Sequence, residues 1–303
     1  MLWSTHPSDL PQCTVVSVDK RALGAIAVTL TLWSSAFTGI RIGLEAFSPG
    51  NLALLRFLSA SAALLVFAVI RRMPLPALRD IPSMLLIGLF GITIYHTALN
   101  YAEVRVSAGA AGILIASSPV FTALLATAFL GERLRLVGWL GIALSFGGSA
   151  LVALSAGEGF GFEPHAMLVL LSALSGAIYF VMLKPLLSRY SPLQLSTYAI
   201  WAGTLLLCVF FPGLPQAVNV APVGTILTVV YLGVFPGAIA YITWAYALSR
   251  TPASLLATYQ YLIPVLAVLI AWAWRSETPR AVALLGGAIS LVGVILVNKR
   301  APT

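Results

Sequence analysis

Polar residues that could do chemistry are rare in this sequence, and a few of them fall at helical spacing inside apolar runs. The stretch "TIYHTALNYAE" places His96, Asn100 and Glu103 at i, i+4 and i+7, which is one face of a helix. An imidazole, an amide and a carboxylate in one row can bind a polar solute or carry a proton. A hydrogen-bonded packing histidine is the alternative, but the neighbouring Asn100 favours a row that lines a cavity.

A permanent cation lies in another apolar run, "SPGNLALLRFLSASAALLVF", at residues 48–67. Six or seven residues into a helix, Arg56 is roughly 9–10 Å along the helix axis from its outer end. Its long side chain can snorkel much of that distance. Because charges inside a membrane are usually paired, we predict that Arg56 is a structural clamp that pairs with Glu45 or Glu103. Direct contact with a solute carboxylate is the alternative.

Aromatic and polar residues at similar depth in several runs complete the candidate site. Each aromatic residue alone could be a packing or interfacial residue, so only their coincidence at one depth indicates a cavity. The predicted solute-binding residues are Trp33, Phe37, His96, Asn100, Ser117, Tyr179, Tyr241, Trp244, Tyr259 and Gln260. A cavity with many rings and few formal charges suits neutral or zwitterionic solutes. Phosphorylated solutes would require several Arg or Lys residues.

The composition requires lipid as the main solvent of the chain. Of its 303 residues, 60% are hydrophobic and only 9% are charged, against about 25% charged residues in soluble domains. The two cysteines, Cys13 and Cys208, lie far apart and suggest neither a disulfide framework nor a metal site. Because G-x-S-x-G, H-E-x-x-H and paired membrane aspartates are all missing from the sequence, we predict no enzyme activity, no cofactor and no metal.

Breaks at Pro, Gly and charged residues divide the chain into ten apolar runs, and a membrane-spanning helix needs about 20 residues. The predicted spans are 22–44, 50–70, 82–102, 106–130, 136–155, 165–186, 193–212, 222–248, 252–274 and 280–298. A β-barrel would show short alternating segments instead of these continuous runs. The predicted fold is therefore all-α and integral to the membrane, with ten transmembrane helices. Residues 1–19 are predicted to be a disordered N-terminal tail.

Arg and Lys residues near the span ends indicate the orientation in the membrane. With the N-terminus in the cytoplasm, the inner side holds twelve of these cations and the outer side four, while Arg56 lies within a span. The four outer residues are Arg41, Arg105, Arg275 and Arg280. We therefore predict a multi-pass protein of the cell inner membrane with both termini in the cytoplasm. This distribution explains the net charge of +8 without a nucleic-acid partner.

The second half of the chain repeats the first. The stretch from Gly88 aligns without gaps with the stretch from Gly233, an offset of 145, and "FSP" at 47–49 matches "YSP" at 190–192. Each repeat, 20–158 and 159–300, has five predicted spans, so the second repeat must enter the membrane from the opposite face. Inverted repeats around a central cavity are the architecture of many secondary transporters. A duplicated scaffold without a transport role is the alternative.

The repeat also matches prolines and small residues. Pro119 and Pro264 lie near the middle of spans 4 and 9, where a proline removes a backbone donor and bends the helix. We predict that they are hinges, with static kinks as the alternative. Small residues at i and i+4 let helices approach closely, so spans 5 and 10 are predicted to pack together. The packing residues are Gly141, Ser145, Gly148, Gly286, Ser290 and Gly293.

Three stretches make the chain similar to the EamA type of the drug/metabolite transporter superfamily. They are "LWSSAFTGIRIGLEAFSPGNLALLRF" at 32–57, "SSPVFTALLATAFLGERL" at 117–134 and its echo "LIPVLAVLIAWAWRSET" at 262–278. The resemblance covers nearly everything after residue 20 and implies export of small metabolites, amino acids among them. The second echo is weaker, because Ser276 and Thr278 replace Gly131 and Arg133.

The predicted spans leave no Asp or Glu near the middle of the membrane, and His96 is the only group there that titrates near neutral pH. We therefore predict alternating-access export of neutral or zwitterionic solutes down their own gradient. A proton-coupled multidrug or metabolite antiporter is the alternative, and a membrane pore is a further one. The expected partners are a small-molecule solute and the lipid bilayer. Two complete halves in one chain permit a functional monomer.

Single cysteines test the orientation. In a background without Cys13 and Cys208, Glu158→Cys should react with an impermeant thiol reagent added outside intact cells, because the loop between spans 5 and 6 is predicted to be external. Arg72→Cys should stay unlabelled until the cells are opened. The opposite pattern would reverse the predicted topology.

Overall fold

A computed structural model describes residues 19–106, 111, 114–154, 165–263, 265–266 and 281–299. This part of the chain is helical and contains no strand. Its α-helices, in chain order, are α1 (Lys20–Leu44), α2 (Pro49–Ile70), α3 (Ile81–Gly88), α4 (Tyr95–Glu103), α5 (Ser118–Phe129), α6 (Leu136–Leu154), α7 (Ala166–Leu186), α8 (Pro192–Leu207), α9 (Leu214–Val220), α10 (Val223–Leu232), α11 (Ala240–Arg250), α12 (Ala253–Thr258) and α13 (Ala281–Lys299).

Six helical stretches in the described residues are long and apolar enough to cross a membrane. They are Lys20–Leu44, Pro49–Ile70, Leu78–Glu103, Ala166–Leu186, Pro192–Phe210 and Val223–Arg250. Three shorter apolar helices cover Ser118–Phe129, Leu136–Leu151 and Leu284–Val297. The chain thus has the helical architecture of an integral membrane protein, while the count of ten spans stays a prediction.

Matching Ser-Pro pairs begin the second helix of each repeat. Ser48 caps α2 by accepting a hydrogen bond from the backbone N of Asn51. Ser191 caps α8 in the same way, and Gln194 completes a capping box there. The proline that follows each serine occupies the first turn of its helix, where a missing N–H costs nothing.

Two long helical stretches are interrupted by π-helix at equivalent positions. Leu89–Ile94 separates α3 from α4, and Gly233–Ile239 separates α10 from α11. The second segment contains Pro236, which has no N–H to donate along the helix. π-Helical turns are rare and are often found at functional sites.

The two halves exchange equivalent contacts. A Cβ added at Gly88 would lie 2.6 Å from the backbone N of Gly203, and one added at Gly233 would lie 3.1 Å from the backbone N of Ala60. Gly88 and Gly233 are equivalent in the repeat, and so are Ala60 and Gly203. In each half the equivalent glycine therefore packs against the equivalent helix of the other half.

Hydrogen bonds across the interface show the same exchange. Thr29 Oγ1 in α1 donates to the carbonyl of Ala240 (3.3 Å), and Ser172 Oγ in α7 donates to the carbonyl of Tyr95 (2.8 Å). Thr29 corresponds to Ser172 and Tyr95 to Ala240 in the two repeats. Each of these hydroxyls thus joins the first helix of its own repeat to the start of a helix in the other repeat.

Some residues contact their own counterparts. The hydroxyls of Ser61 and Thr204 are 2.8 Å apart, and Ser145 Oγ donates to the carbonyl of Ser290 at 3.1 Å. A residue can meet its own equivalent only where the two halves face each other directly. These pairs therefore mark the axis that relates the two halves.

Helices α6 and α13 pack closely through small residues. A Cβ at Gly148 would lie 2.6 Å from the carbonyl O of Gly286, and one at Gly293 would lie 2.6 Å from the backbone N of Ser145. Gly141 is equally restricted, at 2.8 Å from the carbonyl O of Gly293. The backbones approach closely enough that no larger side chain fits at these positions.

Two adjacent glycines in α6 give a matched test of this packing. Gly148→Ala should lower the thermal stability of the detergent-solubilised protein, because overpacking of this kind costs about 1–3 kcal/mol. Gly147→Ala should be neutral or slightly stabilising, since a Cβ at Gly147 meets no described atom within 4 Å and alanine favours helix. Equal thermal unfolding curves for both variants would contradict the close contact.

Candidate functional site

A cavity of about 60 Å³ lies where the two halves meet. One water molecule needs about 10–15 Å³ on this measure, so the cavity has room for a few waters or a small solute. Six of the predicted binding residues line it: Trp33, Phe37, His96, Tyr179, Tyr241 and Gln260. The first three belong to the first repeat and the others to the second, so both halves form the wall.

The other four predicted binding residues lie outside the cavity wall. Trp244 is fully buried behind it, with its ring 5.0 Å from that of Trp33. Asn100 donates through Nδ2 to the carbonyl of Pro49, and Ser117 donates to the carbonyl of Leu114. Tyr259 is half-buried in the hydrophobic packing behind the cavity.

The further residues that line the cavity include four with polar or aromatic side chains: Arg56, Tyr95, Ser118 and Phe180. Sequence reasoning gave Arg56 a structural role and missed the other three. Tyr95, Ser118 and Phe180 are each adjacent to a predicted residue, and that adjacency was the only available signal. The π-helical turn before Tyr95 shifts the face that α4 presents, which a regular helical period cannot anticipate.

Arg56 lies in the cavity wall and is 2% exposed. Its Nε donates to the carbonyl of Leu232 (3.2 Å), and its Nη1 is 3.3 Å from Nδ1 of His96. Among the described residues Arg56 makes no ion pair. The described residues thus show no direct contact of Arg56 with Glu45 or Glu103, because Nε contacts a carbonyl of the other half and Nη1 contacts His96.

Pro236 removes the donor that a regular α-helix would offer to the carbonyl of Leu232. In a regular α-helix the Leu232 carbonyl would accept from the N–H four residues later, and that residue is Pro236. The carbonyl of Pro236 is itself used, since it accepts from Trp33 Nε1 at 3.3 Å. The end of α10 and the π-helical segment that follows it thus supply two carbonyl acceptors to side chains of the cavity wall.

Hydrogen bonds determine the tautomer of His96. Tyr241 Oη donates its one proton to the carbonyl of Gly91 (2.9 Å), so it can only accept from Nε2 of His96, which is 2.9 Å away. Arg56 has donors only, so Nδ1 of His96 must accept. His96 is therefore neutral, with its proton on Nε2. A further proton on Nδ1 would set two donors and two positive charges against each other.

Tyr241 and His96 are counterparts in the repeat, and they meet at the centre of the interface. The carbonyl of Gly91 that Tyr241 contacts belongs to the π-helical segment of the first repeat. A Cβ at Gly91 would lie 2.6 Å from Cγ of Tyr179. Only glycine at this position lets the Tyr179 ring pack beside the carbonyl of Gly91.

The predicted electrostatic partners of Arg56 are Glu45 and Glu103, and neither lines the cavity. Glu45 is exposed at the end of α1. Glu103 is 6% exposed, and within the described part of the chain neither of its carboxylate oxygens has a hydrogen-bond partner. Asn100 Oδ1, on the same helical face, also lacks one. The predicted row of His96, Asn100 and Glu103 is thus buried, but only His96 reaches the cavity.

Pro119 lies at a break between helical segments. A turn covers residues 116–117, and α5 begins at Ser118, so Pro119 occupies the first turn of a new helix. Ser118 in that turn lines the cavity. Pro264, the predicted second hinge, lies outside the described residues.

The fold defines a helical membrane protein with a cavity between its two halves, and comparison with known proteins specifies the class. The chain belongs to the EamA-like transporter family, whose model matches residues 20–154 and 164–299. A solved crystal structure has the same fold, with a TM-score of 0.76 and 24% identity. It covers 93% of this chain, and the match covers 99% of that chain.

Two curated relatives match nearly the full length. The chain is 38% identical over 281 residues to a probable terminal-alkyne amino-acid exporter of Streptantibioticus cattleyicolor, covering 93% of this chain and 94% of the relative. It is 41% identical over 269 residues to the uncharacterized transporter YdfC of Bacillus subtilis, covering 88% of each chain. The protein is therefore a membrane transporter, and its relatives are named as transporters and not as enzymes.

Removing one hydroxyl tests the central hydrogen bonds. Tyr241→Phe should lower the free energy of unfolding by about 1–3 kcal/mol, because the Gly91 carbonyl and Nε2 of His96 both lose their buried partner. Tyr246→Phe, in the same helix, is the matched control and should change it by less than about 0.5 kcal/mol. Denaturation of the purified protein in detergent gives both values, and equal stability of the two variants would contradict the geometry.

Proposed function

We propose that this protein exports small neutral or zwitterionic metabolites, amino acids in particular, by alternating access. The observation that carries the proposal is the cavity between the two halves, whose wall combines aromatic rings with Arg56, His96 and Gln260. Mostly apolar pockets with a few placed polar groups are typical of small-molecule sites. A position between repeats is typical of secondary transporters.

The exchanged contacts support two inverted five-helix repeats at 20–158 and 159–300. Equivalent glycines press against equivalent helices, and the equivalent residues His96 and Tyr241 meet at the centre. Such a pseudo-twofold arrangement lets one half rock against the other around a fixed site. In the proposed cycle Pro119 and Pro264 are the flexible points.

Contacts between helix ends support the predicted grouping of these ends on one side of the membrane. Asp19 pairs with Arg250 at 3.5 Å, and Asp80 pairs with Arg189 at 2.9 Å. Lys184 donates to the carbonyl of Thr251 at 2.6 Å. The predicted topology puts every one of these ends on the cytoplasmic side. The contacts agree with a common side for all of them.

The name of the Streptantibioticus relative supports amino acids as the solute class. The fixed tautomer of His96 supports transport without protons, because Nδ1 already faces a cation. Neutral His96 is therefore a poor proton carrier while Arg56 stays in place. We propose that the solute gradient alone drives export.

Proteoliposomes test this function. Vesicles preloaded with an unlabelled amino acid should take up the same labelled amino acid by saturable counterflow, in a screen that also includes nucleosides and drugs. An imposed pH gradient should change uptake little, with or without an ionophore. Protein-free vesicles are the control.

Three results would contradict the proposal. Non-saturable flux without counterflow would indicate a pore. Uphill accumulation that the ionophore abolishes would indicate a proton-coupled antiporter. Counterflow of drugs or nucleosides but of no amino acid would show that the proposed solute class is wrong.

A further inference from the structure

Arg56 carries a positive charge with which no carboxylate of the described residues forms an ion pair. It is 2% exposed, and its contacts are a carbonyl and a neutral imidazole instead of a carboxylate. An uncompensated buried charge is strongly destabilising, so such groups are normally paired. The second repeat has Ala199 at the equivalent position, so the symmetry of the fold does not require the charge.

The guanidinium also keeps unused donors. It has five N–H groups in a planar fork that matches a carboxylate. Nε donates to the carbonyl of Leu232, and Nη1 donates to Nδ1 of His96. Nη2 donates to none of the described residues. Because Arg56 is part of the cavity wall, a solute in the cavity can reach the guanidinium.

Unpaired acceptors lie in the same wall. Tyr179 Oη and Gln260 Oε1 are both buried without a hydrogen-bond partner among the described residues, and both residues line the cavity. Buried polar atoms are nearly always satisfied, so each lone acceptor needs an explanation. An ammonium group has three donors and would satisfy them.

We propose that Arg56 binds the carboxylate of the solute, and that Gln260 Oε1 and Tyr179 Oη receive its ammonium group. The site then selects small α-amino acids, with Trp33, Phe37 and Phe180 against the side chain. His96 is a positioning residue that holds Nη1 through its Nδ1. This inference rests on the proposed function and specifies the two charged ends of its solute.

Four matched probes test the carboxylate end and the ammonium end of the solute separately. L-Leucine has both charged groups, L-leucinamide lacks the carboxylate, 4-methylpentanoate lacks the ammonium group, and isopentylamine is the bare amine. Binding to the purified full-length protein in detergent is measured by calorimetry, for the wild type and for Arg56→Gln, Arg56→Lys and Gln260→Leu. Arg105→Gln is the control, because Arg105 is an exposed arginine away from the cavity.

The wild type should bind leucine at least about tenfold more tightly than leucinamide. Arg56→Gln should weaken leucine binding about ten- to hundredfold, the loss of a charge-assisted hydrogen bond, and remove this preference. Arg56→Lys should retain part of it. Gln260→Leu should weaken leucine binding but not that of 4-methylpentanoate. Arg105→Gln should match the wild type.

Equal wild-type affinity for leucine and leucinamide would overturn the role of Arg56, even if counterflow succeeds. The same holds if Arg56→Gln keeps the wild-type preference. If Arg56→Gln does not fold, the wild-type ratio and Arg56→Lys decide. Preference for 4-methylpentanoate over isopentylamine without any amino-acid counterflow would support the carboxylate contact and reject the proposed function.

Discussion

The centre of this molecule depends on the need to satisfy every backbone polar group where no water is available. Two π-helical segments and the adjoining end of α10 present carbonyls towards the interface, and Pro236 removes the regular helical donor to the carbonyl of Leu232. Arg56, Tyr241 and Trp33 donate to these carbonyls. The same interactions fix the cavity wall, so the irregular backbone and the site form one hydrogen-bonded unit.

The scaffold is symmetric, but the site is not. Glycines, hydroxyls and π-helical segments recur in both halves, and they hold the helices in equivalent positions. At the centre, however, His96 faces Tyr241, and Arg56 has only Ala199 as its counterpart. A symmetric frame suits two related conformations, whereas an asymmetric solute needs different groups at its two ends. The arrangement supplies both.

The sequence allowed the helical membrane architecture, the repeat and six of the cavity residues to be predicted, because these depend on hydrophobicity, spacing and depth. It did not allow the partner of Arg56 to be predicted, since depth alone cannot tell which way a helix faces. The π-helical turn before Tyr95 changes which face of α4 points towards the cavity. Asn100 and Trp244 were predicted at the cavity from their helical faces, but they pack behind it.

The central claim is that the solute occupies the cavity between the halves. In a background without Cys13 and Cys208, Ser118→Cys places a thiol in the cavity wall, and Ser117→Cys places one just outside it. During transport, a counterflow-active amino acid should slow labelling of Ser118→Cys by a membrane-permeant maleimide but not that of Ser117→Cys. No protection at Ser118→Cys, or equal protection at both positions, would contradict the account.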